Sequence, residues 1–316
     1  MQEWVTAADA AGMRLDLWLA RHAGAGSRSR AAAWLERGKV FLDGQAAGPD
    51  DAARRLAPGL RVGVWMDRPG SARAADRAAH DRRHLLRIVA DDADFIVADK
   101  PAGMIVEPLP GRGGEEVTLV ELVRHHLRHE PRASLHVVHR IDRDTSGLVL
   151  FARNAEARGA LKDQFEQRTP VRVYQAIVEG TVRPPRGRWT DQLAWDASQL
   201  RQRKAHATDA RGKEAVAEYV VLEQFAAAAL VQVSLVTGKR NQIRVQAALR
   251  GHPLLGERQY RFGAPAPAPG LPHIGRQALH AWRLGFRHPS TGRQVTLTAD
   301  PPADFTRVLA ALRVRP

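Results

Sequence analysis

The chain has 316 residues, no cysteine and a formal charge of +14, from 48 Lys and Arg against 34 Asp and Glu. This length predicts about two domains, the charge favours a polyanionic partner such as nucleic acid, and the lack of cysteine excludes disulfides, thiolate metal sites and a cysteine nucleophile. Because the chain starts without a secretory signal pattern and contains no apolar run of about 18 residues, we expect a cytoplasmic protein that does not enter a membrane.

A small module of two helices followed by strands is predicted near the start of the chain. Leu15, Trp18 and Leu19 repeat at helical spacing, and Ser27 is a typical residue to begin a second helix. The segment after this module is rich in Arg, Ala and Asp, which is typical of a linker. In chain order we expect an N-terminal tail at residues 1–12, the small domain at 13–66, a linker at 67–83 and a large domain at 84–316.

The large domain alternates short apolar runs with helical stretches. Strands are predicted at residues 85–90, 95–98, 147–152, 171–179, 219–223 and 230–236, and helices at 118–129, 155–167 and 305–314. Strand pairs joined by turns favour a largely antiparallel sheet of the α+β class. The Gly-Ala-Pro alternation of residues 262–271 predicts a loop.

A dense polar cluster comes directly before the apolar run at 147–152. It contains His139, Arg140, Asp142 and Asp144. Neighbouring cations keep a carboxylate ionised, which suits a nucleophile or a general base. A charge-balanced turn explains these residues equally well when they are considered alone, because ion-paired loops are common.

The segment from His139 to Arg153 resembles the signature His-Arg-Leu-Asp-x-x-Thr-Ser-Gly-Leu-Leu-Leu-Phe-Ala-Arg of the RluA-type pseudouridine synthases, with Ile141 and Val149 replacing two leucines. Further family motifs are similar to residues 99–104, 174–180, 235–244, 251–256, 279–281 and 286–289. The resemblance covers about residues 84 to 305. It implies an α+β fold with a mixed, mostly antiparallel sheet flanked by helices and loops, and an isomerase that needs no cofactor and no metal.

The resemblance also implies roles for single residues. Asp142 matches the catalytic carboxylate, which either attacks the nucleoside or abstracts a sugar proton, whereas Asp144 matches a variable position. Tyr174 matches a tyrosine that stacks on uracil and assists proton removal, and Arg244 an arginine that pairs with Asp142. The further substrate-binding residues are expected to be Arg140, which would fill the space of the flipped base, Ile243, which would line the uracil pocket, His139 and Thr145.

In the small domain, the segments at residues 14–19, 27–30 and 38–44 resemble the RNA-binding domain first described in small-subunit ribosomal protein four. Its expected phosphate contacts are Arg14, Arg28, Arg30, Arg37 and Lys39. Because this module often accompanies enzymes that act on ribosomes, we expect the substrate to be large-subunit ribosomal RNA, with transfer RNA as the alternative. We also expect a monomer.

Four positions depart from the family pattern, namely Glu107, Asn241, Gln246 and Glu257. These departures leave room for a non-catalytic RNA-binding or ribosome-assembly protein that keeps the fold. The presence of Asp142, Tyr174 and Arg244 together argues against that alternative.

Overall fold

The computed structural model describes residues 1–66, 82–108, 116–130, 134–206 and 208–314. These residues divide into two compact units, one holding residues 1–66 and the other nearly all of the described chain from residue 83 onward. Most of the expected linker, residues 67–81, lies outside the described residues. Among the helices that are described, none combines the length and apolar character of a membrane span.

The first unit is a four-stranded antiparallel sheet with two helices. Its elements are β1 (Gln2–Val5), α1 (Leu15–His22), α2 (Arg28–Glu36), β2 (Val40–Leu42), β3 (Gln45–Ala46) and β4 (Arg61–Val64), with 3-10 turns at Ala8–Ala10 and Pro49–Ala53. The sheet order is β1-β4-β2-β3. The expectation of a tail at residues 1–12 is wrong, because β1 pairs with β4 from Gln2 opposite Val64 to Val5 opposite Arg61.

Helix spacing explains the core of this unit. Leu15 and Leu19 lie on one face of α1 and are completely buried, and Trp18 is almost so. They pack in one cluster with Leu35 of α2 and Val62 of β4. The predicted helices and strands of the small module are therefore confirmed.

The second unit is built on an 11-stranded sheet. Its elements are β5 (Arg87–Asp91), β6 (Phe95–Lys100), α3 (Leu119–His126), β7 (His136–Val137), β8 (Ser146–Ala152), α4 (Ala155–Glu166), β9 (Val171–Glu179), β10 (Arg186–Asp196), β11 (Arg201–Lys204), β12 (Lys213–Gln224), β13 (Ala228–Leu235), α5 (Gln242–Leu249), β14 (Leu279–Arg287), β15 (Gln294–Thr298) and α6 (Ala303–Val314), with a 3-10 turn at Arg83–Leu85. The main strand order is β11-β10-β12-β13-β9-β14-β8-β6-β5, with β15 beside β14 and β7 beside β8.

The sheet is mixed, since β8 and β14 are parallel while the neighbouring pairs β8–β6 and β14–β9 are antiparallel. This confirms the predicted α+β class. Three helices cover parts of the sheet: α4 packs against β8 and β14, α5 against β10 and β12, and α6 against β9 and β13. All seven residues of β8 are buried, which accounts for the unbroken apolar run that the sequence shows there.

The register of three adjacent strands brings distant parts of the chain to one level. Ala281 of β14 lies opposite Gly147 of β8 on one side and opposite Tyr174 of β9 on the other. Gly147 has a φ of +112°, and a Cβ at this position would overlap the backbone of Ala281. Only glycine allows this close approach, and the loop before β8 is thereby placed next to Tyr174.

Candidate active site

A cavity of about 560 Å³ lies beside the loop that precedes β8, and β9 and the start of α5 also line it. All seven residues predicted for the large domain line this cavity: His139, Arg140, Asp142, Thr145, Tyr174, Ile243 and Arg244. Asp144, the neighbouring carboxylate in the loop, is not part of the lining. The fold therefore brings together residues that are more than a hundred positions apart in the chain.

Asp142 and Arg244 form an ion pair at the cavity wall. Arg244 Nη1 lies 3.6 Å from Asp142 Oδ2, a distance that is too long for a direct hydrogen bond. The Arg244 side chain is 11% exposed, and the Asp142 side chain is 24% exposed. Asp142 therefore stays accessible from the cavity, and a nearly buried cation lies beside it.

Glu257 is the principal partner of Arg244. Its two carboxylate oxygens accept hydrogen bonds from Arg244 Nε at 2.7 Å and Nη2 at 2.8 Å, and its side chain is completely buried. The backbone N–H groups of Gln259 and Tyr260 also donate to Glu257, at 2.8 and 3.2 Å. Sequence reasoning assigned Arg244 to Asp142 alone and treated Glu257 only as a departure, and the signal available in the sequence was limited to a carboxylate 13 residues after the arginine.

Tyr174 lies on β9 with only 8% of its surface exposed. Burial raises the pKa of Tyr174 to about 12, with the charge of Asp142 acting in the same direction and Arg172 opposing it. The hydroxyl is therefore protonated at neutral pH. The ring and its hydroxyl can present a flat apolar surface and a hydrogen-bond donor to a base in the cavity.

The loop before β8 is fixed by a buried lysine that sequence reasoning missed. Lys100, at the end of β6, is completely buried, and its ammonium donates to the carbonyls of Pro101, Met104 and Arg143, each at 2.8 Å. Burial lowers the pKa of Lys100 to about 7, and two carboxylates of the loop oppose that change. The signal was the Lys-Pro-Ala-Gly segment, which matched the family but carried no assigned role.

Two predicted residues have surroundings that differ from those expected. His139 stacks on Phe165 with ring centroids 4.9 Å apart, and its Nε2 accepts a hydrogen bond from the backbone N–H of Leu150. Burial, with a contribution from Arg172, lowers the pKa of His139 to about 3, so this ring is neutral and is not one of the cations expected around Asp142. That expectation for His139 is corrected.

Arg140 also has a partner other than Asp142. Its Nη1 donates to Glu107 Oε1 at 2.9 Å, and the arginine and glutamate side chains are 58% and 37% exposed. Surface pairs of this kind contribute little stability, so Arg140 can leave Glu107 when a ligand enters. Two further predicted residues, Thr145 and Ile243, are buried at the cavity wall, and Thr145 N donates to the carbonyl of Asp142 at 3.1 Å.

The departures at Asn241 and Gln246 are satisfied within the chain. Asn241 precedes α5 with a φ of 55°, a conformation that asparagine tolerates, and its side-chain oxygen accepts a hydrogen bond from the Tyr260 hydroxyl at 3.0 Å. Gln246 is completely buried and donates to Asp191 at 2.8 Å and to the Ala215 carbonyl at 3.0 Å. Both residues thus support the packing around α5.

The five basic residues predicted in the first unit do not form a uniform set. Arg14 and Arg28 both bind the buried carboxylate of Asp16, and these hydrogen bonds, chiefly that from Arg14, lower the pKa of Asp16 to about 2. Lys39 is only 3% exposed and donates to the Met66 carbonyl at 3.3 Å, so the expectation that it contacts phosphate is corrected. The remaining two, Arg30 and Arg37, are exposed.

Known proteins resemble this chain in sequence and in fold. The sequence model of the family described as RNA pseudouridylate synthase matches residues 94–249. Ribosomal large subunit pseudouridine synthase D of Nitrosomonas europaea is 35% identical over 97% of this chain and 86% of its own length. The protein of the same name from Pseudomonas aeruginosa is 36% identical over 96% of this chain and 92% of its own length.

A solved structure supports the fold alone. The human protein described as RNA Pseudouridylate Synthase Domain Containing 4 has a TM-score of 0.61 at 23% identity, covering 76% of this chain and 97% of the human one. The sequence relatives match nearly the whole chain with about a third of the residues identical. This protein therefore belongs to the RluA-type family of RNA pseudouridine synthases, which are isomerases.

Proposed function

We propose that this protein converts uridine to pseudouridine in large-subunit ribosomal RNA, with Asp142 as its catalytic carboxylate. The observation that carries the proposal is the ion pair of Asp142 and Arg244 at the wall of a cavity that Tyr174 also lines. Relatives that match nearly the full chain are named ribosomal large subunit pseudouridine synthase D, which supports this choice of RNA. We expect the protein to act as a monomer in the cytoplasm, and transfer RNA is the alternative substrate.

The reaction breaks the bond between C1′ of ribose and N1 of uracil, turns the base, and joins C1′ to C5. The C5 proton then leaves, and N1 gains a proton. Asp142 would act either on C1′ as a nucleophile or on a sugar proton as a base. Tyr174 would support the turned base through its ring, and Arg244 would orient the carboxylate beside it.

A stacked uridine must leave the RNA helix before its base can turn. Flipping costs a few kcal/mol of unstacking, which favours loops and distorted targets. Arg140 would occupy the vacated space, since its surface pair with Glu107 is weak, and Ile243 would contact the uracil. Thr145 would act through the backbone, because its N–H holds the Asp142 carbonyl.

The first unit is proposed to be an RNA-binding domain of the type first described in small-subunit ribosomal protein four. Its phosphate contacts would come from Arg30 and Arg37, which are exposed, and from Arg14 and Arg28, which share the carboxylate of Asp16. Asp16 holds the guanidinium groups of Arg14 and Arg28 close together, and its negative charge offsets part of their positive charge.

The test is a map of pseudouridines in ribosomal and transfer RNA from cells that lack the protein, carry the normal form, or carry Asp142→Asn. Asp144→Asn is the matched control, because Asp144 belongs to the same loop but does not line the cavity. We expect specific uridines of large-subunit ribosomal RNA to stay unmodified without the protein and with Asp142→Asn, and to be modified with Asp144→Asn.

Each other outcome has one meaning. Loss of modification in transfer RNA alone would replace the substrate and keep the chemistry. If no uridine changes in any strain, a non-catalytic RNA-binding protein becomes the better description. If Asp144→Asn abolishes modification and Asp142→Asn does not, the assignment of the carboxylate is overturned.

A further inference from the structure

Arg172 is a cavity-lining cation for which the reaction described above has no use. It lies on β9 two residues before Tyr174, so the two side chains project from the same face of the strand. Its Nε is buried and has no hydrogen-bond partner within the described part of the chain. An arginine remains charged when buried, and a buried charge without a partner is costly. A site that keeps such a group is suited to an anion from outside the chain.

The side chains around Arg172 carry more positive than negative charge. Lys162, Arg168 and Lys239 line the cavity together with Arg172, whereas Glu166 also lines it and Glu214 pairs with Arg168 at 3.6 Å. Burial lowers the pKa of Lys239, Arg168 and Lys213 add to the effect, and Glu214 opposes it. Burial likewise lowers the pKa of Arg172. Cations that destabilise one another in the free protein are stabilised together when an anion binds between them.

The guanidinium of Arg172 is held by packing. It lies over the Phe165 ring at 5.5 Å from the centroid, and Phe165 in turn stacks on His139. A Cβ at Gly238 would overlap Nη1 of Arg172, so glycine at this position is what leaves room for the guanidinium. The group is thus fixed beside Tyr174 before any ligand arrives, which reduces the entropy lost on binding.

We propose that Arg172 and Lys239 bind a phosphodiester of the RNA backbone next to the flipped uridine. This inference rests on the proposed function. A nucleotide that is flipped into the cavity brings its flanking phosphates to the cavity wall, and the planar fork of arginine matches phosphate oxygens. A phosphate at Arg172 would fix the distance between the ribose and Asp142, because both side chains line the same cavity.

The experiment uses the full chain and the shortest ribosomal RNA fragment that the wild-type protein modifies. Single uncharged methylphosphonate linkages are placed on the 5′ and 3′ sides of the target uridine. The variants are Arg172→Gln, Arg172→Lys and, as a matched loss of charge outside the cavity, Arg307→Gln on the exposed part of α6. Thermal melting establishes that each variant is folded.

We expect Arg172→Gln to raise KM about tenfold with a smaller change in kcat, and to reduce the salt dependence of binding by about one phosphate contact. Arg172→Lys should recover part of this loss, and Arg307→Gln should behave like the wild type. One of the two methylphosphonates should weaken the wild type about tenfold while leaving Arg172→Gln almost unchanged.

Three results would overturn the inference. Equal methylphosphonate effects in the wild type and in Arg172→Gln would show that no phosphate is bound there. A loss confined to kcat, with a shifted pH profile, would show that Arg172 acts on the Tyr174 hydroxyl instead. If the wild type modifies no ribosomal or transfer RNA at all, the proposed function fails first, and this result is distinguishable from the other two.

Discussion

Replacing Glu257 by Gln tests whether this buried carboxylate positions Arg244 for the reaction. The change removes the negative charge that accepts two hydrogen bonds of 2.7 and 2.8 Å from Arg244. The amide NH₂ of the new glutamine would also face an N–H donor, because the hydrogen bonds to both Glu257 oxygens come from N–H groups of Arg244, Gln259 and Tyr260. Arg244 then keeps a single hydrogen bond to the remaining amide oxygen, its contact with the Tyr260 ring at 5.0 Å and the longer pair with Asp142 at 3.6 Å.

The expected loss of stability is about 3 kcal/mol. Charge-assisted hydrogen bonds contribute about 1.5 to 3 kcal/mol each, and breaking one side of a buried pair costs about 3 to 5 kcal/mol. The lower end applies because Arg244 is 11% exposed and keeps Asp142 nearby. A guanidinium displaced by about 1 Å should lower kcat/KM about a hundredfold. Urea unfolding measures the first quantity, and proton release from C5-tritiated RNA measures the second.

The matched control is Glu179→Gln. Glu179 forms the same two-bond pair with Arg261, at 2.8 and 2.8 Å, but does not line the cavity. We expect this variant to lose stability and to keep kcat/KM within about twofold at a temperature where both variants are folded. The reasoning is refuted if Glu257→Gln retains full activity, or if Glu179→Gln loses activity to the same extent.

Four further variants test the structure that supports the site. Gly147→Ala should lose about 3 kcal/mol or more in urea unfolding, because its φ is +112° and a Cβ would overlap the β14 backbone, whereas Gly159→Ala, in open space on α4, should gain up to about 1 kcal/mol. Lys100→Met removes the donor of three backbone carbonyls and should cost about 3 kcal/mol, together with a lower kcat. His139 has a folded-state pKa of about 3, so the unfolded state alone gains a proton as the pH falls below about 6.5. The wild type should therefore lose about 2 kcal/mol between pH 6.5 and 4.5, and His139→Gln should lose less. Equal losses would contradict the assignment of a ring that stays neutral in the folded protein.

Much of the local structure was predictable because it depends on short-range spacing. The alternation of apolar residues predicted β9 with the bounds that the structure has, and the helical repeat of Leu15, Trp18 and Leu19 predicted α1. The polar cluster around Asp142 was visible as an anomaly before an apolar strand. Its grouping with Tyr174 and Arg244 came from resemblance to a family, since no local pattern connects the three.

The tertiary structure decided which partners the charged groups have. Arg244 was paired with Asp142 from the sequence, yet its shortest hydrogen bonds go to Glu257, and Lys39 was expected at an RNA surface but is buried. Such pairings depend on the register of strands far apart in the chain and on how much water each side chain loses. The sequence by itself determined the elements, the excess of positive charge and the candidate carboxylate, because these follow from residue type and local spacing. Burial and long-range pairing were decided only by the tertiary structure, because both depend on residues that lie near one another only in the folded chain.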